Sequence, residues 1–381
     1  MKTHQLIYRN NQGWNPQIES SSNINPQLIL LFGSTELIKA NEHIRGLKEK
    51  FPNAIIVGGS SSGEICGIHV YDDTIVATLV EFKSTTVQFE SKHLLNPKDS
   101  KDVAIDLIGK LDKKDLKHIF FICEGLNING SELAKGIRSA LPQGVAATGG
   151  LAGDGANFNE TFVLNSDGKA ETSLVSAIGF YGEKLLVSYG SLGGWDSFGI
   201  ERLVTRSVDN VLYEVDGMPA LELYKSFLGD YVKDLPASGL LFPINLRNEE
   251  DDKPVVRTIL AVNEEMQSLT FAGDIPEGSY IKLMKANFDR LIEGATGAAL
   301  STIKNDANKR PELAILISCV GRKLVLKQLI EDEVESVSEV LGEQATLCGF
   351  YSYGEISPFD SESECKLHNQ TMTITTFKEM D

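Results

Sequence analysis

One short plan recurs three times in this chain, and a recurring plan dictates how its parts can pair. The apolar run at residues 28–32 reads as a buried strand. A polar, helix-compatible stretch follows over 35–50, and a second apolar run at 54–57 enters Gly58-Gly-Ser-Ser-Ser-Gly63. The plan returns as a strand at 118–123, a helix at 131–140 and a strand at 145–148 entering Gly149 and Gly150. It returns again as a strand at 313–318, a helix at 323–341 and a strand at 345–348 entering Gly349. Strand, crossover helix, strand and glycine loop make a βαβ unit, which implies parallel pairing.

The first and third copies agree even in their loops. Gly58 and Gly63 stand five apart, as do Gly349 and Gly354; Ser61 corresponds to Ser352, and both loops finish in Gly-Glu-Ile, at Glu64 and Glu355. This reads as a duplication and predicts pseudo-symmetric placement of the two carboxylates. Around the units lie β-rich stretches at 74–82 and 85–93, at 174–181 and 185–192 about a turn at 182–184, and a hairpin from 255–262 and 267–272. Helices are expected at 98–111, 219–228 and 287–304, the second with Pro219 where a first turn tolerates it. The class is α/β with added antiparallel strands (mixed α+β), in two related halves.

At 381 residues the chain exceeds the usual reach of one core, so two domains are expected. The boundary falls between 215 and 233 and is drawn at 220, giving an N-terminal extension at 1–24 and domains at 25–220 and 221–381. The acidic run at 248–253 reads as a solvated loop.

With 36 basic and 53 acidic residues the net charge is −17. That disfavours a nucleic-acid surface, which needs clustered cations, and docking on anionic lipid. The polar first fifteen residues contain no signal-peptide core, and the nearby apolar run is five residues against the roughly 20 that span a bilayer. A cytoplasmic location is expected. Five scattered cysteines, Cys66, Cys123, Cys319, Cys348 and Cys365, form no C-x-x-C pair and signal neither disulfides nor zinc.

Residues 59–63 satisfy G-x-S-x-G with Ser61 as nucleophile, but that elbow requires a helix after it, and 64–73 has no helical period. A serine hydrolase using Ser61 is the rival reading and requires a histidine at the Ser61 hydroxyl. No phosphate-binding glycine motif occurs. Loops at the ends of parallel strands build ligand crevices. The candidate ligand residues are therefore Ser60, Ser61, Ser62, Glu64, Asp154, Ser352, Tyr353 and Glu355, which suit a small polar ligand with an amino group and a carboxylate. The six histidines form no metal-ligand spacing, although a haem needs a single axial histidine or thiolate.

Taken together, several segments resemble the FIST family. Val57-Gly-Gly-Ser-Ser-Ser-Gly-Glu-Ile65 is similar to its N-terminal signature, and residues 213–224 resemble the segment joining its N and C domains. Residues 270–279 and 348–356 resemble its C-terminal domain. The resemblance covers about 25–370 and implies a non-catalytic sensor in signal transduction. Its implied ligand is either a small metabolite such as an amino acid or haem with nitric oxide. Its implied partner is a histidine kinase or cyclic-di-GMP enzyme.

Overall fold

The computed structural model describes residues 1–21, 23–248, 253–303, 310–359 and 363–380. The 248–253 run lies largely outside them. Three units share one topology. In each, a second and third strand pair in parallel across a helical crossover, a fourth strand pairs antiparallel to the second, and the first pairs antiparallel to the fourth. The first unit is built from Lys2–Arg9, Leu28–Gly33, Ile55–Ser60 and Thr74–Glu81. The second uses Thr86–His93, Leu116–Cys123, Ala146–Leu151 and Leu174–Tyr181. The third uses Leu185–Leu192, Leu313–Cys319, Thr346–Ser352 and Met372–Glu379. The mixed α/β class holds, and the kinship seen between the first and third copies extends to the second.

The units exchange strands in a ring. After its third strand each unit sends a short hairpin to the third strand of another. Glu64–Cys66 pairs with Thr346–Ser352, Gly354–Ser357 with Ala146–Leu151, and Val163–Leu164 with Ile55–Ser60. The ladder explains the repeated Gly-Glu-Ile: Ile65 lies opposite Gly349, and Ile356 opposite Gly149.

Period two then builds the core. Leu28, Leu30 and Phe32 face inward and join Phe120, Ile122, Ile315, Ile317 and Phe350 in one cluster drawn from all three sheets. Ile29 and Leu31 face outward under the helices Thr35–Ala40 and Glu42–Lys50. The second sheet is covered by Ser100–Lys110 and Gly130–Ala140, the third by Phe288–Ile303 and Ile330–Leu341. Ser100–Lys110 presents Val103, Ala104, Leu107 and Ile108 along one stripe. Gly130–Ala140 starts where the Asn129 side chain accepts the Glu132 N–H at 3.0 Å.

Between Leu185–Leu192 and Phe288–Ile303 the chain inserts an eight-stranded sheet. The long strand Asp196–Val208 joins its two parts, pairing with Tyr280–Lys285 and with Val211–Val215. Arg257, buried, donates to the Leu367 carbonyl at 3.0 Å and ties this sheet to the third unit's hairpin.

Several expectations change. The stretches 74–82 and 85–93 do not pair with each other, nor do 174–181 and 185–192: at each turn the chain leaves one sheet for the next. The first crossing is held by Glu379, whose carboxylate accepts the N–H groups of Lys83, Ser84 and Thr85, each at 2.8 Å. The expected third hairpin is Ile259–Asn263 with Ser268–Phe271, while Val255–Arg257 pairs with Ile244–Arg247. The 35–50 helix breaks at Asn41 and the 323–341 helix at Lys327, both left-handed. Lys2–Arg9 pairs along its whole length with Thr74–Glu81, so part of the expected 1–24 extension belongs to the first sheet. The line drawn at 220 falls inside the inserted region, between the strand Met218–Pro219 and the helix Ala220–Leu228.

Gly58, Gly149 and Gly349 occupy equivalent places. A Cβ there would lie 1.6, 2.2 and 1.8 Å from the carbonyl oxygens of Leu31, Phe121 and Leu316. Backbone cannot yield as a side-chain tip can. Gly58→Ala or Gly349→Ala should therefore lower the unfolding free energy by more than about 3 kcal/mol in urea titrations. Gly217→Ala, with φ of +75° and nothing within 4 Å, should cost about 1–2 kcal/mol. Equal losses at the three positions would refute the close-approach account.

Candidate functional site

The second and third strands of the first unit end beside each other, and the residues just past them open a cavity of about 550 Å³. Ser34, Thr35 and Glu36 follow the second strand, and Ser61 to Glu64 follow the third. Asp72 and Asp73 precede the fourth strand, and Asp154, Gly155, Asn157, Asn159 and Glu160 come across from the second unit. Two units thus wall one site at the carboxyl ends of parallel strands, where loops are free to vary. Lys323 of the third unit reaches its edge, donating to the Ser62 carbonyl at 2.8 Å and to the Asp72 carboxylate.

The wall is acidic. Glu36, Glu64, Asp72, Asp73, Asp154 and Glu160 line it, and none of its lining residues is basic. Glu160 is paired with Lys39 at 2.6 Å and Asp72 with Lys323. No group of three or more His, Cys, Asp or Glu is arranged to hold a metal ion among the described residues. The two ion pairs offset part of the negative charge of the wall, and Glu36 and Asp73 add to it.

Ser61 and Glu64 form a latch. The Ser61 hydroxyl donates to Glu64 Oε1 at 2.5 Å, while Oε2 accepts the Thr74 hydroxyl at 2.7 Å and N–H at 3.3 Å. In the third unit the Ser352 hydroxyl donates to Glu355 Oε1 at 2.7 Å, and Oε2 accepts the Thr371 hydroxyl at 2.9 Å and N–H at 3.2 Å. The two carboxylates are pseudo-equivalent, as the repeat predicted. In the second unit Ala152 and Gly155 stand three and six residues past Gly149, so the latch is absent.

Ser61, Ser62, Glu64 and Asp154 line the acidic cavity. Ser60 is buried beneath it, its hydroxyl accepting the Phe162 N–H at 2.9 Å. Tyr353 lies on a different cleft of about 630 Å³ between the second unit and the inserted sheet. Ser352 and Glu355 are fully buried and line neither space. Asp154 is committed to structure: it accepts the N–H groups of Phe158, Asn159 and Glu160 at 2.8, 2.7 and 2.9 Å, and the Tyr353 hydroxyl. The sequence reading missed Ser34, Glu36, Asp72, Asp73 and Glu160. The Asp72-Asp73 pair immediately before a strand was the signal available for two of them.

Two features required of a hydrolase elbow differ here. A strand, Glu64–Cys66, follows Gly63, and the Ser61 hydroxyl meets a carboxylate instead of an imidazole.

Burial pushes the Glu64 carboxyl up to about 7, opposed by the hydrogen bonds from Ser61 and Thr74 and the charge of Lys323. Burial raises Glu355 to about 8 against the Ser352 and Thr371 bonds. The folded chain holds these protons where the unfolded chain, ionising near 4.3, has lost them. Their stabilising contribution is complete below that value and is lost as pH rises towards 8. Burial acts oppositely on His118 and His368, lowered to about 3 and about 4, which favours folding as pH rises towards 6.5. The comparison is therefore made above pH 6.5. There, unfolding free energy should fall by up to about 1.4 kcal/mol per pH unit for each carboxyl still titrating. A Glu64→Gln/Glu355→Gln variant should lose that decline, and an unchanged slope would remove both groups from the titration.

The FIST N domain model matches residues 27–218 and the FIST C domain model residues 220–358. An uncharacterized protein of Methanocaldococcus jannaschii is 23% identical over 339 residues, covering 81% of this chain and 63% of its own length. The chain thus spans under two thirds of that curated relative. Among solved structures, cyanuric acid hydrolase from A. caulinodans is 7% identical with a TM-score of 0.39, covering 100% of this chain and 99% of its own. PurLQS from Thermotoga maritima is 10% identical with a TM-score of 0.20, covering 78% and 73%. Neither likeness is close enough to inform the site. No helix among the described residues is long and apolar enough to cross a membrane. FIST domains are sensory domains of signalling proteins that bind small ligands. With both domain models matched end to end, this chain belongs to the FIST family.

Proposed function

We propose that this chain is a non-catalytic cytoplasmic sensor whose acidic cavity takes a small metabolite carrying an ammonium group, an amino acid being the fitting class. The observation that carries the reading is an open cavity of about 550 Å³ lined by six carboxylates and no basic residue. Ser34 and Thr35 supply hydroxyls for the polar remainder of the ligand. Occupancy would be passed to a partner protein, a histidine kinase or cyclic-di-GMP enzyme being the class the family resemblance suggests. The coupling has a physical route, because the first and second units share the wall and Lys323 of the third reaches its edge. A ligand that binds one arrangement of the units more tightly than another shifts their balance.

Haem is the other ligand class raised by the resemblance, and it requires an axial imidazole or thiolate facing an open space. His118 is buried against Thr148 at 2.8 Å, and His368 against the Ser357 carbonyl at 2.8 Å. Neither histidine nor cysteine lines the acidic cavity or the cleft beside it. Neither of these histidines, and no residue lining these two spaces, fits a haem.

A thermal-shift screen of amino acids and amines against their deaminated counterparts tests the proposal. Ammonium compounds should stabilise the chain and the deaminated ones should not. Affinity should rise between pH 6 and 8 as Glu64 ionises. Asp73→Asn with Glu36→Gln should weaken binding by about ten- to a hundredfold, the 1.5–3 kcal/mol of a charged hydrogen bond. Binding that ignores these two substitutions, or that prefers the deaminated series, would overturn the assignment.

A further inference from the structure

We infer that the inserted sheet holds a second, separate site, for an uncharged apolar compound between benzene and indole in size. The inserted region holds a partly open cavity of about 200 Å³. Its floor is formed by Leu212, Val215, Leu269 and Phe271, all buried to within 2% exposure, under the helix Ala220–Leu228. A sealed apolar space of about 150 Å³ already accepts benzene and stays dry without it.

Two further observations point to a ligand. First, Asp196–Val208 loses register between Phe198 and Arg202, and Gly199 there has a φ of +74°. Such an irregularity redirects side chains beside binding sites. Here it leaves Ile200 70% exposed at the mouth, facing solvent with Phe227 at 37%. An apolar rim around an apolar hole is what a hydrocarbon ligand would cover. Second, the polar side chains on the wall are Arg202 and Tyr224, and both are already satisfied. The Tyr224 hydroxyl donates to the Phe242 carbonyl at 2.8 Å. Arg202 pairs with Asp216 at 2.9 Å and lies 5.6 Å above the Phe227 ring. Each of the two polar side chains thus has a partner, and the Arg202 charge is matched by Asp216. The recognised chemistry is therefore apolar surface of limited volume, unlike the acidic cavity of the first unit.

The test uses the full chain with toluene, indole and octanoate as probes, read by calorimetry and by thermal shift. Toluene and indole should bind at one per chain, and octanoate should bind no better than octanol. Ala220→Phe places a ring in the cavity and should abolish binding of toluene. Leu223→Trp, on the partly exposed wall, is the second filling variant should Ala220→Phe fail to fold. Glu64→Gln should leave toluene binding unchanged. Absence of toluene and indole binding, or binding undiminished in a folded filling variant, would overturn the inference. A preference for octanoate abolished by Arg202→Gln would overturn it too, by making the site one for anions.

Discussion

The ring of exchanged hairpins is the interaction the rest of the fold depends on. Each unit on its own is a four-stranded sheet with one face under helices and the other bare, and a bare apolar face cannot stand in water. Handing Glu64–Cys66, Val163–Leu164 and Gly354–Ser357 to neighbouring third strands covers three sheet edges at once. It also turns the three inner faces towards one another, where Phe32, Phe120 and Phe350 share a core. Closing the ring brings strands together across nearly three hundred residues, as at Cys66 and Cys348. The cost in chain entropy grows only logarithmically with that separation. The apolar area gained grows with every residue that turns inward.

The glycines make the exchange possible. At Gly58, Gly149 and Gly349 the third strand runs so near the second that a side chain would enter a backbone carbonyl. From there the chain must cross to another unit within a few residues, so the loops are short, buried and hydrogen-bonded. The Ser-Glu-Thr latch supplies those bonds in the first and third units, closing the loop onto the start of the fourth strand. A residue can thus be placed in a ligand loop by the repeat and still serve the scaffold. Glu355 shows that case: it is buried and lines neither the acidic cavity nor the cleft at Tyr353.

Much of this was legible in the sequence because long elements carry a period. Runs such as 28–32 and 313–317 are apolar throughout, as central parallel strands are, and the helical stretches keep one apolar stripe. The exchanged strands left no such trace. Three or four residues cannot display alternation, and their partners lie in other units. The same limit hid the switch of sheets at 82–86 and at 182–184, where adjacency in sequence suggested hairpins. At the site, the glycine loops led to Ser61, Ser62 and Glu64, while Glu36 and Glu160 were unmarked because a lone acid in a polar stretch looks like solvated surface. The break of the 35–50 helix at Asn41 was likewise hidden, since asparagine fits both a helix interior and a left-handed turn.

The functional asymmetry lies where the copies stop matching. Thr74 and Thr371 occupy the same place in the latch, so Asp72 and Asp73 correspond to Asn369 and Gln370. In the first unit those positions are exposed acids on the wall of the cavity. In the third they are buried amides. There the Gln370 side chain lies against Gly321, where an added Cβ would stand 2.5 Å from its Nε2, and the Gln370 backbone carbonyl accepts the Trp195 indole N–H at 2.9 Å. Trp195 comes from the threshold of the inserted region, so the insertion that gives the third unit its extra sheet also helps close its loop crevice. The first unit's crevice is open and acidic, and at the equivalent place in the third unit the amides of Asn369 and Gln370 are buried. On the proposed sensor reading, a ligand in the first unit's crevice would act on one junction of the ring while the others hold the frame.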